Sequence, residues 1–281
     1  MKQISYDVNR ANRDRKTEVE RLATQASLGW DKESRTLAWF GLEDGMTVLD
    51  AGCGPGFITK KLLDFRPNLA ITAIDIDPSL IEDAQDYLEH AKPDSVSSVN
   101  FKPASVTDTQ LPANSYDYAY ARLLFQHLPN PGEAAREIYR VLKPGGKFVI
   151  YDIDDEMFGI ISPPVPSWKK VSKMLAQAQA ARGGNRYIGR QLWRILEAAG
   201  FRNIDLEIIA IHSDKLGLEA FYPQIDLNRL QPYKISGIIT DENYEQLRKE
   251  REMFLESEAP YILMLALMVC GEKPVTQPVD E

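Results

Sequence analysis

The stretch "LDAGCGPGF", residues 49–57, constrains this chain more than any other, because it sets three glycines on alternate positions directly behind an apolar run that closes on Asp50. Residues 46–50, "MTVLD", read as a short strand bounded by Gly45 and Gly52, and "FITKKLLDF" carries helix-spaced apolar residues at 58, 62, 63 and 65. A glycine-rich turn from strand to helix lets the main chain approach a ligand closely, and the helix start beyond it offers free N–H groups to an anion. The loop is G-x-G-x-G: Phe57 stands where the dinucleotide fingerprint G-x-G-x-x-G has its last glycine, so that fingerprint is only partly met. A carboxylate would suit this turn as well as a phosphate. Taken alone, the loop also reads as a tight turn that meets only its own neighbours.

The alternation continues downstream. "LAITAID" is a second strand, and Asp77 caps a helix with Pro78 in its first turn. "VNFKPAS" and "YDYAYA" are further strands. Asn130-Pro131 with Glu133 opens the helix "GEAAREIYRVL", which Lys143-Pro144-Gly145-Gly146 stops before the strand "KFVIYDID". Strands alternating with helices pair in parallel through right-handed crossovers. The expected fold is therefore α/β: a doubly wound, mostly parallel seven-stranded sheet with helices on both faces, an N-terminal helical segment, and helical insertions forming a lid. The expected division is a helical cap over 1–40, a core over 41–154 and 188–212, a lid insertion over 155–187, a substrate-cap insertion over 213–258, a last core strand over 259–272 and a tail over 273–281.

Composition narrows the function. The 41 acidic and 33 basic side chains give a net charge of -8, which argues against a nucleic-acid partner. The two cysteines, Cys53 and Cys270, form neither a disulfide framework nor a metal-ligand spacing, so no metal is expected. The N-terminus "MKQISYDVNRANRDRK" lacks the apolar core of a signal peptide, and "YILMLALMVC", 261–270, is too short to span a bilayer. A soluble, cytoplasmic protein with no membrane partner is expected; its oligomeric state is open.

In an open parallel sheet, ligands bind at the carboxyl ends of the strands. Asp75 ends the second strand 19 residues beyond Gly56, the spacing at which an acid grips ribose hydroxyls. Asp77 is occupied as a helix cap, which leaves Asp75 for a ligand.

With these residues the sequence resembles the class I S-adenosylmethionine (SAM) dependent methyltransferases of small-molecule type. Asp50, Gly52, Gly54 and Gly56 match that family's D-x-G-x-G-x-G loop, and "LKPGG", 142–146, its turn before the fifth strand; the likeness covers most of residues 20–212. The resemblance implies SAM as cofactor, with the loop beneath its methionine and ribose, and Asp75 on the ribose with Ile76 beside it. It implies Ser105 in the place of an adenine-binding Asp, next to Val106, with Asp108 as a substitute. It also implies an N-terminal helix, carrying Arg21 and Gln25, folded over the cofactor.

SAM carries its own driving force, so a dedicated catalytic triad is not expected. Arg122, Gln126 and His127 lie in "ARLLFQHLP", where this fold meets its acceptor, with Arg122 also counted toward the cofactor. The absence there of a [DN]-P-P-Y motif tells against adenine or glutamine nitrogen as acceptor. His127 suits proton removal, or else is a structural histidine bonded to backbone. Asp152, Asp154 and Asp155 end the fifth strand. If the strand alternation holds, Asp152 and Asp154 share a face; Asp152 could act as a base or these carboxylates hold a cationic amine, or they are simply solvated. The turn with Arg182 and Arg186 is a lid or a connector, and Trp168, Phe221, Tyr222 and Tyr233 line a pocket or form local core. The leading expectation is methyl transfer from SAM to an oxygen or nitrogen of a small-molecule acceptor, secondary metabolites included. The alternatives are a protein or RNA methyltransferase, a non-catalytic SAM-binding protein, and an NAD-dependent oxidoreductase. Phe57 counts against the last, and no catalytic Tyr-x-x-x-Lys pair is expected.

Overall fold

Val48, Leu49 and Ala51 expose no surface, so strand β1 (Thr47–Ala51) is covered on both faces, as the centre of a parallel sheet must be. The computed structural model describes residues 15–157 and 159–275; the first 14 residues of the expected cap and residues 276–281 of the expected tail lie outside them. β1 pairs in parallel with β2 (Ala70–Asp75) on one side and β4 (Tyr116–Arg122) on the other. β3 (Val99–Pro103) extends the sheet beyond β2, and β5 (Leu142–Asp152) extends it beyond β4, both in parallel. The long β8 (Tyr261–Glu272) then runs antiparallel to β5, and β7 (Arg202–His212) antiparallel to β8. The order β3-β2-β1-β4-β5-β8 places the switch point between β1 and β4.

Among the described residues the sheet has eight strands, one more than the expected seven. The additional one, β6 (Ile160–Ser162), lies inside the segment read as a lid and pairs antiparallel with Tyr261–Leu263. β8 outruns β5 at that end, so three residues find an unfilled edge even though Pro163 and Pro164 stop them at once. β5 itself begins at Leu142 and takes in the "KPGG" read as a turn, with Gly145 at φ +81 and a register shift opposite Tyr116 and Tyr118.

β4 shows how the two layers are specified. Tyr118 and Tyr120 enter one core with Leu37, Leu62, Ile81 and Leu88 of helices α2 (Trp30–Trp39), α3 (Phe57–Phe65) and α4 (Pro78–Ala91). Ala119 and Ala121 enter the other, with Ile138 of α5 (Pro131–Val141) and Leu196 of α7 (Leu192–Ala198). Helix α1 (Arg15–Ser27) precedes α2 across Gly29, whose φ of +82 makes the break. Asp77 caps α4 by accepting from Ser79 N. Asn130 does not cap α5; its carboxamide donates to Glu133 instead.

Helix α6 (Pro166–Ala180) packs against α11 (Asp241–Leu255), which follows the short helices α8 (Ser213–Leu216), α9 (Tyr222–Ile225) and α10 (Gln231–Ile235). Phe221 is fully buried there, and Trp168 and Tyr233 pack partly buried against the same core, so these three are local core, whereas Tyr222 is exposed. Among the described residues no helix is long and apolar enough to cross a membrane, and no group of His, Cys, Asp or Glu could hold a metal.

Candidate cofactor and acceptor site

The three loop glycines have left-handed φ values of +77, +52 and +77 at Gly52, Gly54 and Gly56, but they are kept bare for different reasons. A Cβ on Gly52 would lie 3.0 Å from the Leu124 side chain, and one on Gly56 would lie 2.9 Å from Ala84 Cβ in α4. Those two permit packing. A Cβ on Gly54 would meet nothing within 4 Å, so this glycine alone faces open space. The loop is pinned from behind, where Gly52 N and Cys53 N donate to Ile74 O at 2.8 and 2.9 Å. The Cys53 thiol is buried, points to Gly54 O at 3.6 Å, and is pushed well above its ordinary pKa, first by burial and then by Asp50 and Asp75.

Asp75 closes the other wall. One carboxylate oxygen accepts from Gly54 N and the other from Asp77 N, each at 3.0 Å, while Ala104 N donates to its carbonyl at 2.8 Å. Burial raises its pKa despite these bonds. Ile76 beside it is 48% exposed, an apolar surface next to a carboxylate. This pairing, with open space over Gly54, fits a ribose and an attached ring: hydroxyls for the carboxylate's spare lone pairs, an apolar contact for the ring. Asp50 serves the loop from beneath; it is 2% exposed and accepts Thr59 Oγ1 at 2.6 Å, anchoring α3. Burial, then the charge of Asp75, push it up to about 7, the Thr59 bond opposing.

The segment after β3 is bonded to itself. Ser105 Oγ pairs with Thr107 Oγ1 at 2.8 Å, Asp108 accepts from Gln110, and Val106 is buried. Thr109, which sequence reasoning passed over, is fully buried and fixes the turn by donating from N and Oγ1 to Glu137.

Helix α1 lies across the carboxyl end of the sheet. Arg15 donates to Ser79 O at 2.9 Å and pairs with Asp83 at 2.7 Å in α4, while at the other end Arg122 donates to Gln25 O at 3.0 Å. Arg21 pairs with Glu18 at 2.7 Å and donates to Gln25 Oε1 at 3.3 Å. Arg122 and Gln25 are thus brought together, with the guanidinium committed to the covering helices: its Nε reaches both oxygens of buried Glu33 at 3.0 Å and its plane lies 4.8 Å from the Tyr151 ring. Tyr120 donates to the same carboxylate at 2.7 Å. Glu33 was missed from sequence, yet it precedes Leu37 by four residues, on the helix face that the core covers.

Beyond β4 the backbone is strained. Leu123 adopts φ +54, uncommon for a non-glycine residue, and donates to Tyr151 O at 2.7 Å. A 3-10 turn, Phe125–His127, follows. Asp152 is fully buried beneath it, accepting from Gln126 N at 3.1 Å and Ile153 N at 2.9 Å, and burial pushes it up to about 7 although these amides oppose the rise. Asp154 does not share its strand face, because β5 ends at Asp152. Asp154 pairs with Arg190 at 2.5 Å and Asp155 with Arg186, so neither is a solvated carboxylate open to an amine.

The turn with Arg182 and Arg186 is bonded to this site. Asn185 N and Gln179 Nε2 both donate to Gln126 O, at 2.7 and 2.9 Å. His127 Nδ1 lies 3.4 Å from Gln179 Nε2. Burial first, then the charges of Arg186, Arg21 and Arg182, hold His127 down to about 3, a neutral imidazole at physiological pH. The Gln126 carboxamide is 5% exposed and has no hydrogen-bond partner among the described residues. Gln179 carried no sequence signal, being one polar residue among the alanines of α6.

Residues 49–150 match the family described as "Methyltransferase domain". An uncharacterized methyltransferase of Schizosaccharomyces pombe is 29% identical over 156 residues, covering 53% of this chain and 54% of that protein. The sterol 24-C-methyltransferase of Aspergillus fumigatus is 33% identical over 113 residues, covering 40% and 29%. The chain therefore spans about half, or less, of the length of these curated relatives. Among solved structures, phosphoethanolamine N-methyltransferase 2 of Haemonchus contortus, with phosphomonomethylethanolamine and S-adenosylhomocysteine, superposes with a TM-score of 0.56 at 19% identity. It covers 87% of this chain and 53% of that one. Glycine loop and strand order agree with this match: over residues 49–150 the chain carries a methyltransferase domain, on the fold of the class I SAM-dependent enzymes.

Proposed function

We propose that this protein binds SAM over Gly54 and Asp75 and transfers its methyl group to an oxygen or nitrogen of a small-molecule acceptor. The observation that carries the reading is the open space over Gly54 beside a carboxylate already oriented by two backbone amides. The bound cofactor would supply an electrophilic methyl on a sulfonium; the chain's own residues bind, align, exclude water and manage a proton. Asp75 would orient the ribose, with Ile76 against the ring and Val106 behind it. Ser105 keeps a lone pair for the adenine amino group. Asp50 holds the loop, and α1, fastened by Arg122, shields it from water.

On the acceptor side, Asp152 works as a positioning residue, because its oxygens hold the backbone of the Phe125–His127 turn. His127, neutral, would hydrogen-bond the acceptor rather than abstract its proton, since a group held near 3 is a weak base at neutral pH. The Gln126 carboxamide is the natural partner for a polar acceptor atom. The acidic balance of the chain favours a small molecule over RNA. We place the protein in the cytoplasm, where its two free buried thiols would persist.

The oxidoreductase alternative draws no support. A Tyr-x-x-x-Lys spacing does occur, at Tyr139 and Lys143, contrary to expectation. However, Lys143 is paired with Asp117 at 2.7 Å and Tyr139 packs on Phe201, at the amino end of β5 away from the glycine loop. Calorimetric titration with S-adenosylhomocysteine and with NAD tests the reading. Binding of the first is expected, and binding of NAD alone would overturn it.

A further inference from the structure

From Pro163 to Leu196 the chain carries seven Lys and Arg and no Asp or Glu, although the whole protein is strongly acidic. Two of the seven answer carboxylates: Arg186 pairs with Asp155, and Arg190 with Asp154 and Glu156. Lys173 and Arg182 make no hydrogen bond or ion pair through their side chains with any described residue. A cleft of about 240 Å³ opens between α6 and the turn after it, lined by Lys173, Gln177, Asn185, Arg186 and Tyr187 with two alanines of α6.

That lining is selective. It offers two cations, two carboxamides and a phenol over a small apolar floor, and no carboxylate. The cleft is also fixed to the acceptor side of the site, because Asn185 N donates to Gln126 O and Gln179, on the same helix as Lys173, donates to that same carbonyl. Arg182 stands in the connecting turn and, with Arg186, acts electrostatically on His127. Positive charge thus runs from the cleft toward the place where the acceptor would lie. The carboxylates of Asp154, Asp155 and Glu156 beside it would oppose a long polyanion laid across this surface but not a single small anion seated in the cleft.

We propose that this cleft is an acceptor subsite for an anionic group, a phosphate or a carboxylate, on a small molecule; the assignment to an acceptor rests on the methyl-transfer reading above. The chemistry is charge-assisted hydrogen bonding from Lys173, Arg186 and Asn185, with the charge of Arg182 in the same turn adding to the attraction.

The test is calorimetric titration of the full chain with phenyl phosphate, benzoate and benzyl alcohol, and separately with S-adenosylhomocysteine. At least one of the two anions is expected to bind, weakening as salt rises. The double variant Lys173→Ala/Arg182→Ala is expected to weaken it about tenfold or more, with S-adenosylhomocysteine affinity unchanged. Whichever anion binds tighter identifies the group as phosphate or carboxylate. Absence of binding by both anions, equal binding of benzyl alcohol, or an unaffected double variant would each overturn the proposal. So would tighter binding of a 20-nucleotide RNA or of phosphatidylserine vesicles, which would make the basic segment a polyanion surface. Failure of S-adenosylhomocysteine to bind would sink the methyltransferase reading instead, leaving an anion cleft that stands on its own titrations.

Discussion

Arg122 holds Glu33 through Nε at 3.0 Å from both carboxylate oxygens, and this buried pair joins the end of β4 to the helix that covers it. Removing one partner leaves the other charge uncompensated in the interior. Glu33→Gln or Arg122→Met is therefore expected to destabilise the fold by about 3–5 kcal/mol, read from urea unfolding. Either change should also lower S-adenosylhomocysteine affinity, because Arg122 carries the bond to Gln25 O that seats α1. Unchanged stability in both variants would show that the pair is not formed.

Two loop glycines should separate binding from folding. Gly54→Val is expected to cost roughly 1–2 kcal/mol of stability for its left-handed φ, while abolishing measurable cofactor binding by filling open space. Gly56→Ala should do more harm to the fold, since its Cβ would press on Ala84 in α4. Thermal unfolding beside calorimetric titration distinguishes them. Equal losses of stability would contradict the assignment.

Stability should depend on pH with opposing signs. Asp50 and Asp152 are raised from 3.8 to about 7 in the folded chain, so between about pH 4 and 7 the folded state holds protons that the unfolded state has released; their effect is a loss of stability as pH rises through that window. His127 is lowered from 6.5 to about 3, so the unfolded state binds the extra proton there, and its effect is a loss of stability as pH falls below about 6.5. Asp50→Asn should raise the urea midpoint at pH 8 relative to pH 5, and His127→Gln should flatten the acid limb. The reverse slopes would reject these environments.

His127→Ala is expected to lower turnover on an accepted substrate by about tenfold with S-adenosylhomocysteine affinity unchanged, as loss of one acceptor hydrogen bond would do. The pH–rate profile should show no ionisation that disappears with the substitution. Asp75→Ala should behave in the opposite way, weakening the cofactor with smaller effect on a saturated enzyme.

Much of the fold was legible because it is written in local patterns. The continuous apolar runs of β1 and β2, the Asp77-Pro78 helix start and the glycine turn each act within a few residues, and each element formed where its pattern lay. β6 escaped because its cause is remote: three ordinary residues pair only because β8, a hundred positions later, extends past β5. The site divides in the same way. Gly54 and Asp75 follow from turn chemistry and spacing, whereas Glu33, Gln179 and Arg190 acquire their roles from partners 36 to 89 residues away. A face shared by Asp152 and Asp154 depended on alternation continuing past Asp152, and the strand ends there.

Cys53 sits in the middle of the glycine loop with its thiol protonated and shut away. An alkylating reagent can reach it only when the loop opens, so its labelling rate is a clock for that opening. A ligand settling over Gly54 would slow the clock. Occupancy of the loop can thus be followed by mass spectrometry on the unmodified chain before any acceptor has been found.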